Sequence, residues 1–159
     1  VRLSALTAPH TPMTAHLNDP HVIRELLTTP ATWAVVGLSD NAGRTAYRIA
    51  EWLRATLRMR VVPLHPGAPF DPPVLGEAGY AALAAVPDGT SVSVVDCFVR
   101  SELVGAVIDE AIAHRERLGI RGVWLQLGVV DAAAAARAVA AGLAVVMDTC
   151  PKIEWPRLV

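Results

Sequence analysis

The residues best suited to chemistry lie in one stretch, "WAVVGLSDNAGRTAYRI", at positions 33–49. Gly37 ends an apolar run and lets the chain turn sharply. Ser39 and Asn41 offer a hydroxyl and an amide, Gly43 lets backbone approach a ligand, and Arg44 stands just before a helical pattern that begins near Thr45. A helix start leaves backbone N–H groups unpaired at the positive end of its dipole, which suits an anion. A guanidinium beside them adds a planar fork matched to phosphate. The pattern predicts a phosphate-binding loop, and its competitor is a plain turn with a solvated arginine.

Dinucleotide specificity fails two tests. Its fingerprint is G-x-G-x-x-G, whereas this loop runs G-x-x-x-x-x-G and lacks the middle glycine. An acidic residue should end the second strand to hold the ribose hydroxyls, but Leu64, His65 and Pro66 occupy that place. Catalytic groups are sparse. Ser39 lies outside any G-x-S-x-G elbow, and of the five histidines only His65 falls at a strand end. Contact with ligand or solvent is the ordinary role of such a histidine, ahead of general base. Asp96 and Asp148 each follow a strand and Glu154 lies four residues past Cys150; any of them suits ribose hydroxyls or a helix cap, and no pair is arranged as acid and base.

The elements that must position these groups follow from periodicity. Asp19 and Pro20 form a cap and first-turn pair for a short helix ending before Pro30. Trp33 to Val36 is apolar at every position, as a strand covered on both faces requires. Ala46, Ile49, Ala50, Leu53 and Leu57 keep helical spacing. "MRVVPL" is a second strand, followed by a long loop rich in proline and glycine, and "TSVSVVDCF" is a third. A helix carrying Leu103, Val104, Val107, Ile108, Ala111 and Ile112 comes next, then the strand "GVWLQLG". Asp131 caps an alanine-rich helix closed by Gly142, and "LAVVMD" is the fifth strand. Strand and helix in alternation predict an α/β, three-layer Rossmann-like domain: a five-stranded, mostly parallel sheet with helices on both faces. Ligands of such sheets bind at the carboxyl ends of the strands, where strand order reverses.

Composition bounds the rest. A chain of 159 residues, 53% hydrophobic and 18% charged, has the material for one packed core. The expected organisation is a tail over residues 1–16, with Met13 as an alternative start, and a single domain over residues 17–159. A net charge of -1 without a basic run argues against nucleic acid. Lys152 is the single lysine, so the basic residues are otherwise arginines. No apolar run reaches the roughly 18 residues of a membrane span, and the N-terminal stretch lacks the apolar core of a secretory signal. Two cysteines, Cys97 and Cys150, make neither a disulfide framework nor a metal motif, which points to a reducing cytoplasm.

The motifs "AVVGLS", "GRTAYRIAEWL", "VVPLHP", "VDCFVRSE", "VWLQLGV" and "VVMDTCPKIE", in that order, resemble the small CoA-binding proteins. These are single Rossmann-like domains similar to the CoA-binding domain of the succinyl-CoA synthetase α subunit, and the likeness spans roughly residues 20–155. The resemblance implies coenzyme A or an acyl-CoA as ligand. It implies that Gly37, Ser39 and Arg44 hold the phosphates and that His65 and Pro66 line the nucleotide side. Phe98, Val99 and Arg100 would form one wall of the groove for adenine and pantetheine, and Gln126 and Gly128 the other. Arg48, one turn beyond Arg44, is a further candidate whose ordinary reading is a surface arginine. Two departures stand out: His65 replaces the usual asparagine, and Thr149 stands where the family has arginine, which removes a charge near the site. Either cysteine is a candidate for a mixed disulfide with the CoA thiol, although buried, inert thiols are the usual case. A binding module without catalysis is the expectation. An oxidoreductase or acyl-CoA transferase, and a regulatory subunit of a larger ligase, are the alternatives. Whether the protein forms a homodimer stays open.

Overall fold

The continuous apolar runs become the interior of one sheet. A computed structural model describes residues 17–158, so the tail expected over residues 1–16 lies outside the described residues. The first strand β1 (Thr32–Val36) pairs with β2 (Arg60–Leu64) on one side and β3 (Val94–Cys97) on the other. Beyond β3 lie β4 (Gly122–Leu125) and β5 (Ala144–Met147), giving the order β2-β1-β3-β4-β5 with every pairing parallel. The expectation of a mostly parallel sheet thus becomes an all-parallel one. From β1 the chain builds outward in opposite directions, to β2 and to β3, so the reversal of strand order falls between the ends of β1 and β3.

Alternation along the strands sorts side chains into two cores. Trp33 and Val35 point into one, together with Ile23 and Leu26 of α1 (Pro20–Thr28), Leu53 of α2 (Thr45–Leu57) and Trp155 of a C-terminal helix. Ala34 and Val95 point into the other, with Ile108 of α3 (Ser101–Ala113) and Ala138 of α5 (Ala132–Ala140). A short α4 (Arg115–Leu118) follows α3. Ala134, Ala135 and Ala138 have no exposed surface. With methyl groups alone at these positions, α5 can lie close to the sheet and to α3.

The C-terminal helix, α6 (Pro151–Leu158), is an element that periodicity does not predict. It is short and carries a proline at its start and another, Pro156, inside it. Tertiary bonds hold it instead. The indole N–H of Trp124 in β4 donates to the Thr149 carbonyl at 2.8 Å, and the Thr149 hydroxyl donates to Glu154 Oε2 at 2.5 Å. Thr149, where the resemblance expects arginine, is therefore a buried link between sheet and helix.

Both borders of the sheet are occupied by the chain itself. Along β2 the long loop returns so that Tyr80 N donates to the Pro63 carbonyl at 2.9 Å and His65 N to the Tyr80 carbonyl at 3.1 Å. A proline is tolerated in β2 because it is an outer strand. Along β5, Asn18 N donates to the Val145 carbonyl at 3.2 Å, and the Asn18 side chain pairs with both backbone groups of Met147, at 2.7 and 2.9 Å.

The helix caps behave as their residue types dictate. Asp19 Oδ1 accepts from His21 N at 2.8 Å, and Asp131 Oδ1 accepts from Ala134 N at 2.9 Å. Replacing Asp131→Ala strands that N–H and is expected to lower stability by about 1 kcal/mol, measured by urea unfolding.

Candidate functional site

The site is built around the end of β1. Gly37 has φ +99°, and a Cβ there would lie 2.5 Å from the Phe98 carbonyl oxygen. Only glycine allows the two loops to meet so closely. The contact is tied on both sides: Gly37 N donates to the Leu64 carbonyl and Phe98 N to the Val36 carbonyl, each at 2.9 Å.

Beyond Gly37 the loop satisfies most of its own polar groups. Ser39 Oγ accepts from Asn41 N at 3.2 Å, and Asn41 Oδ1 accepts from Gly43 N at 3.0 Å. Arg48 bends back to donate to the Gly43 carbonyl at 2.9 Å. These bonds give the loop a fixed shape ending at α2, whose start has no side-chain cap. The backbone N–H groups of Thr45 and Ala46 find no acceptor among the described residues. The Arg44 guanidinium, exposed beside them, makes no hydrogen bond or ion pair within the described residues. Gly37, Gly43, Arg44, Thr45, Ala46 and Phe98 enclose a cavity of about 370 Å³. It has unpaired N–H donors, a free cation and an aromatic wall.

Two more cavities adjoin it. One of about 600 Å³ shares Thr45 and Phe98 with the first and continues along Val99, Arg100, Gln126, Gly128 and Cys150. Another of about 420 Å³ shares Gly37 with the first and Val99 with the second, and reaches His65, Pro66 and Leu103. Together they make a groove across the carboxyl ends of the strands.

Ten of the residues singled out in the sequence line this groove: Gly37, Gly43, Arg44, His65, Pro66, Phe98, Val99, Arg100, Gln126 and Gly128. Ser39 and Asn41 line none of the three cavities and instead shape the loop. Thr45, at the helix start where the sequence places the anion, also lines the groove, as do Leu103, Glu110 and Ile153, which carry no site signal in the sequence. Leu103 belongs to the apolar stripe of α3, yet it is 50% exposed and stands at a cavity mouth.

Several groups proposed for ribose or acid–base roles are already engaged. Asp148 Oδ1 accepts from Gly128 N at 2.7 Å, which fixes the loop after β4. Glu154 takes the Thr149 hydroxyl and lies 3.3 Å from Arg157. His65 Nδ1 accepts from Gly67 N at 2.9 Å, so a neutral ring carries its proton on Nε2. Asp96 and Cys97, expected just past the third strand, are within β3 and fully enclosed. Asp96 is therefore no ribose ligand, and Cys97 is out of reach of a ligand thiol. Cys150 is half-buried and lines the larger cavity. Burial pushes both thiols up, Cys150 against partial compensation by N–H groups of Lys152 and Ile153, which disfavours thiolate at neutral pH. Among the described residues no cluster of His, Cys, Asp or Glu is arranged to hold a metal ion, and no helix is long and apolar enough to cross a membrane.

An all-parallel, helix-covered sheet with a groove at its strand reversal defines a Rossmann-like protein. The chain belongs to the family described as CoA binding domain, whose profile matches residues 31–156. Among solved structures it is similar to a hypothetical protein from Pyrococcus horikoshii OT3, at 29% identity over 96% of this chain and 99% of the other, with a TM-score of 0.76. Prb, a protein redesigned for binding, is 31% identical over 88% of this chain and 92% of that one, with a TM-score of 0.75. The uncharacterized protein YneT of Bacillus subtilis is 28% identical over 131 residues, covering 82% of this chain and 90% of the relative.

Two outcomes follow from this geometry. Gly37→Ala forces the strained φ and the clash with Phe98, and is expected to cost about 1–3 kcal/mol of stability, read as a lower Tm. Burial raises Asp96 from 3.8 to about 7, so between those values the folded chain keeps a proton that the unfolded chain has released. Stability therefore falls as pH rises through that window and levels off above it. Asp96→Asn carries no such proton, and its Tm profile is expected to lack this decline.

Proposed function

We propose that this protein binds coenzyme A, free or acylated, along the groove at the carboxyl ends of the strands, as a single-domain binding module without catalysis of its own. CoA is an elongated anion with a diphosphate, a ribose phosphate and an apolar-to-polar arm ending in a thiol. Membership of the CoA binding domain family supports CoA as the ligand class. The observation that carries the placement is the uncapped start of α2, where Thr45 and Ala46 N–H groups face a cavity beside the unpaired Arg44. Oriented backbone donors and a helix dipole stabilise phosphate without any change of conformation. Gly37, with Ser39, Asn41 and Gly43 shaping the loop, lets the diphosphate approach the backbone. His65 and Pro66 then border the nucleotide side, and Phe98, Val99, Arg100, Gln126 and Gly128 border the arm.

A binding role fits the side chains present. Among the described residues Ser39 Oγ has a backbone N–H as its partner and no histidine bonded to it. Cys150 sits above the usual thiol range. Neither has the activating partner that a nucleophile needs.

The experiment is a thermal-shift and calorimetric comparison of CoA, acetyl-CoA, NAD(H) and NADP(H). CoA or its acyl form is expected to raise Tm and the dinucleotides to leave it unchanged; protection by a dinucleotide alone overturns the reading. Arg44→Ala is expected to weaken CoA binding by about 1–3 kcal/mol with the fold intact, because it removes a charge-assisted bond to phosphate.

A further inference from the structure

A single hydrogen bond under the larger cavity joins two side chains that packing alone does not explain. Asp96 lies on the face of β3 opposite Val95 and Cys97, and is 0% exposed. A carboxyl group in an apolar layer is costly unless its oxygens are bonded. Gln126 Nε2 donates to Asp96 Oδ1 at 2.7 Å, while Asp96 Oδ2 is enclosed without a partner. Apolar side chains at both positions would fill the same space without this cost, so packing does not account for the pair.

Gln126 itself is 4% exposed and lines the cavity of about 600 Å³ with Phe98, Val99 and Cys150. Its Oε1 accepts no hydrogen bond among the described residues. A primary amide has a donor end and an acceptor end on opposite branches. With the donor end held by Asp96, the acceptor end is the one left for the cavity.

We propose that Asp96 is a positioning residue for ligand recognition: it locks the Gln126 amide so that Oε1 stands in the cavity as an acceptor for an N–H, O–H or S–H group on the ligand arm. The inference rests on the reading of this groove as a CoA site, since the pantetheine arm carries amide N–H groups, a hydroxyl and a thiol. Asp96 touches no ligand and acts through Gln126. Without it the amide turns freely, and the flipped amide offers a donor where the ligand also brings one.

The test is CoA binding by calorimetry to the full chain and to the variants Asp96→Val, Asp96→Asn, Gln126→Met and the double Asp96→Val/Gln126→Met. Asp96→Val removes the acceptor but keeps volume and strand preference. It is expected to fold, with the released Gln126 amide turning toward the cavity, and to bind CoA about tenfold more weakly, the loss of one ligand hydrogen bond. Asp96→Asn retains an acceptor and is expected to keep most of the affinity. Gln126→Met is expected to lose about tenfold as well, and the double variant no more than either single one, because both remove the same contact. Acetyl-CoA separates the sources of the donor. If the thiol is the donor, acetylation alone weakens binding to the parent and Asp96→Val adds nothing further. If an amide or the hydroxyl is the donor, Asp96→Val weakens both ligands equally. Undiminished CoA binding by Asp96→Val, or losses that add in the double variant, overturns the inference while leaving the CoA site in place. Should Asp96→Val fail to fold, unchanged binding by Gln126→Met overturns it equally. A parent that binds no CoA overturns the reading of the site itself, and this inference with it.

Discussion

The approach of two backbones at Gly37 and Phe98 is the constraint on which the rest of the site depends. At that point the chain leaves β1 directly beside the end of β3, and a Cβ on residue 37 would sit 2.5 Å from a carbonyl oxygen. Because residue 37 carries no side chain, the two backbones can meet there. The three cavities meet around Gly37, Phe98 and Val99 for the same reason. Any substitution that separates these loops alters the shape of all three at once.

Around this junction polar groups divide into those that shape the protein and those left for a ligand. Ser39, Asn41, Arg48, His65 and Asp148 all bond to backbone within their own or neighbouring loops. These bonds hold the loops before any ligand arrives, which lowers the ordering cost of binding. Among the described residues the Thr45 and Ala46 N–H groups, the Arg44 and Arg100 guanidinium groups and one end of the Gln126 amide are without such bonds. The free groups are few, and rigid neighbours aim them.

The sheet and its order of elements were legible in the sequence because buried parallel strands need unbroken apolar runs and their crossover helices need apolar stripes. The caps Asp19 and Asp131 were legible for a local reason, a carboxylate one residue before a helix. The groove was also largely legible, since a parallel sheet places its ligand at strand ends and those positions can be counted. What escaped depends on contacts distant in sequence. α6 is held by Trp124 and Thr149, and its local signals, a proline at the first position and Glu154 in the first turn, are offset by its shortness and by Pro156 inside it. Asp96 stands within β3 with Cys97 beyond it, and a polar residue ending an apolar run does not reveal by spacing alone whether the strand has already stopped. Leu103 has the spacing of a core residue, and only the termination of the sheet beneath it leaves it at the mouth of a cavity.

The occupied borders of the sheet limit how this protein can associate. A bare outer strand is a template on which another chain can add by main-chain pairing, the route to filaments and swapped dimers. Tyr80 beside β2 and Asn18 beside β5 already take up backbone groups that such an intruder would need. At these positions an added strand would first have to displace the chain's own bonds, which makes edge-to-edge stacking at the carboxyl ends of β2 and β5 costly.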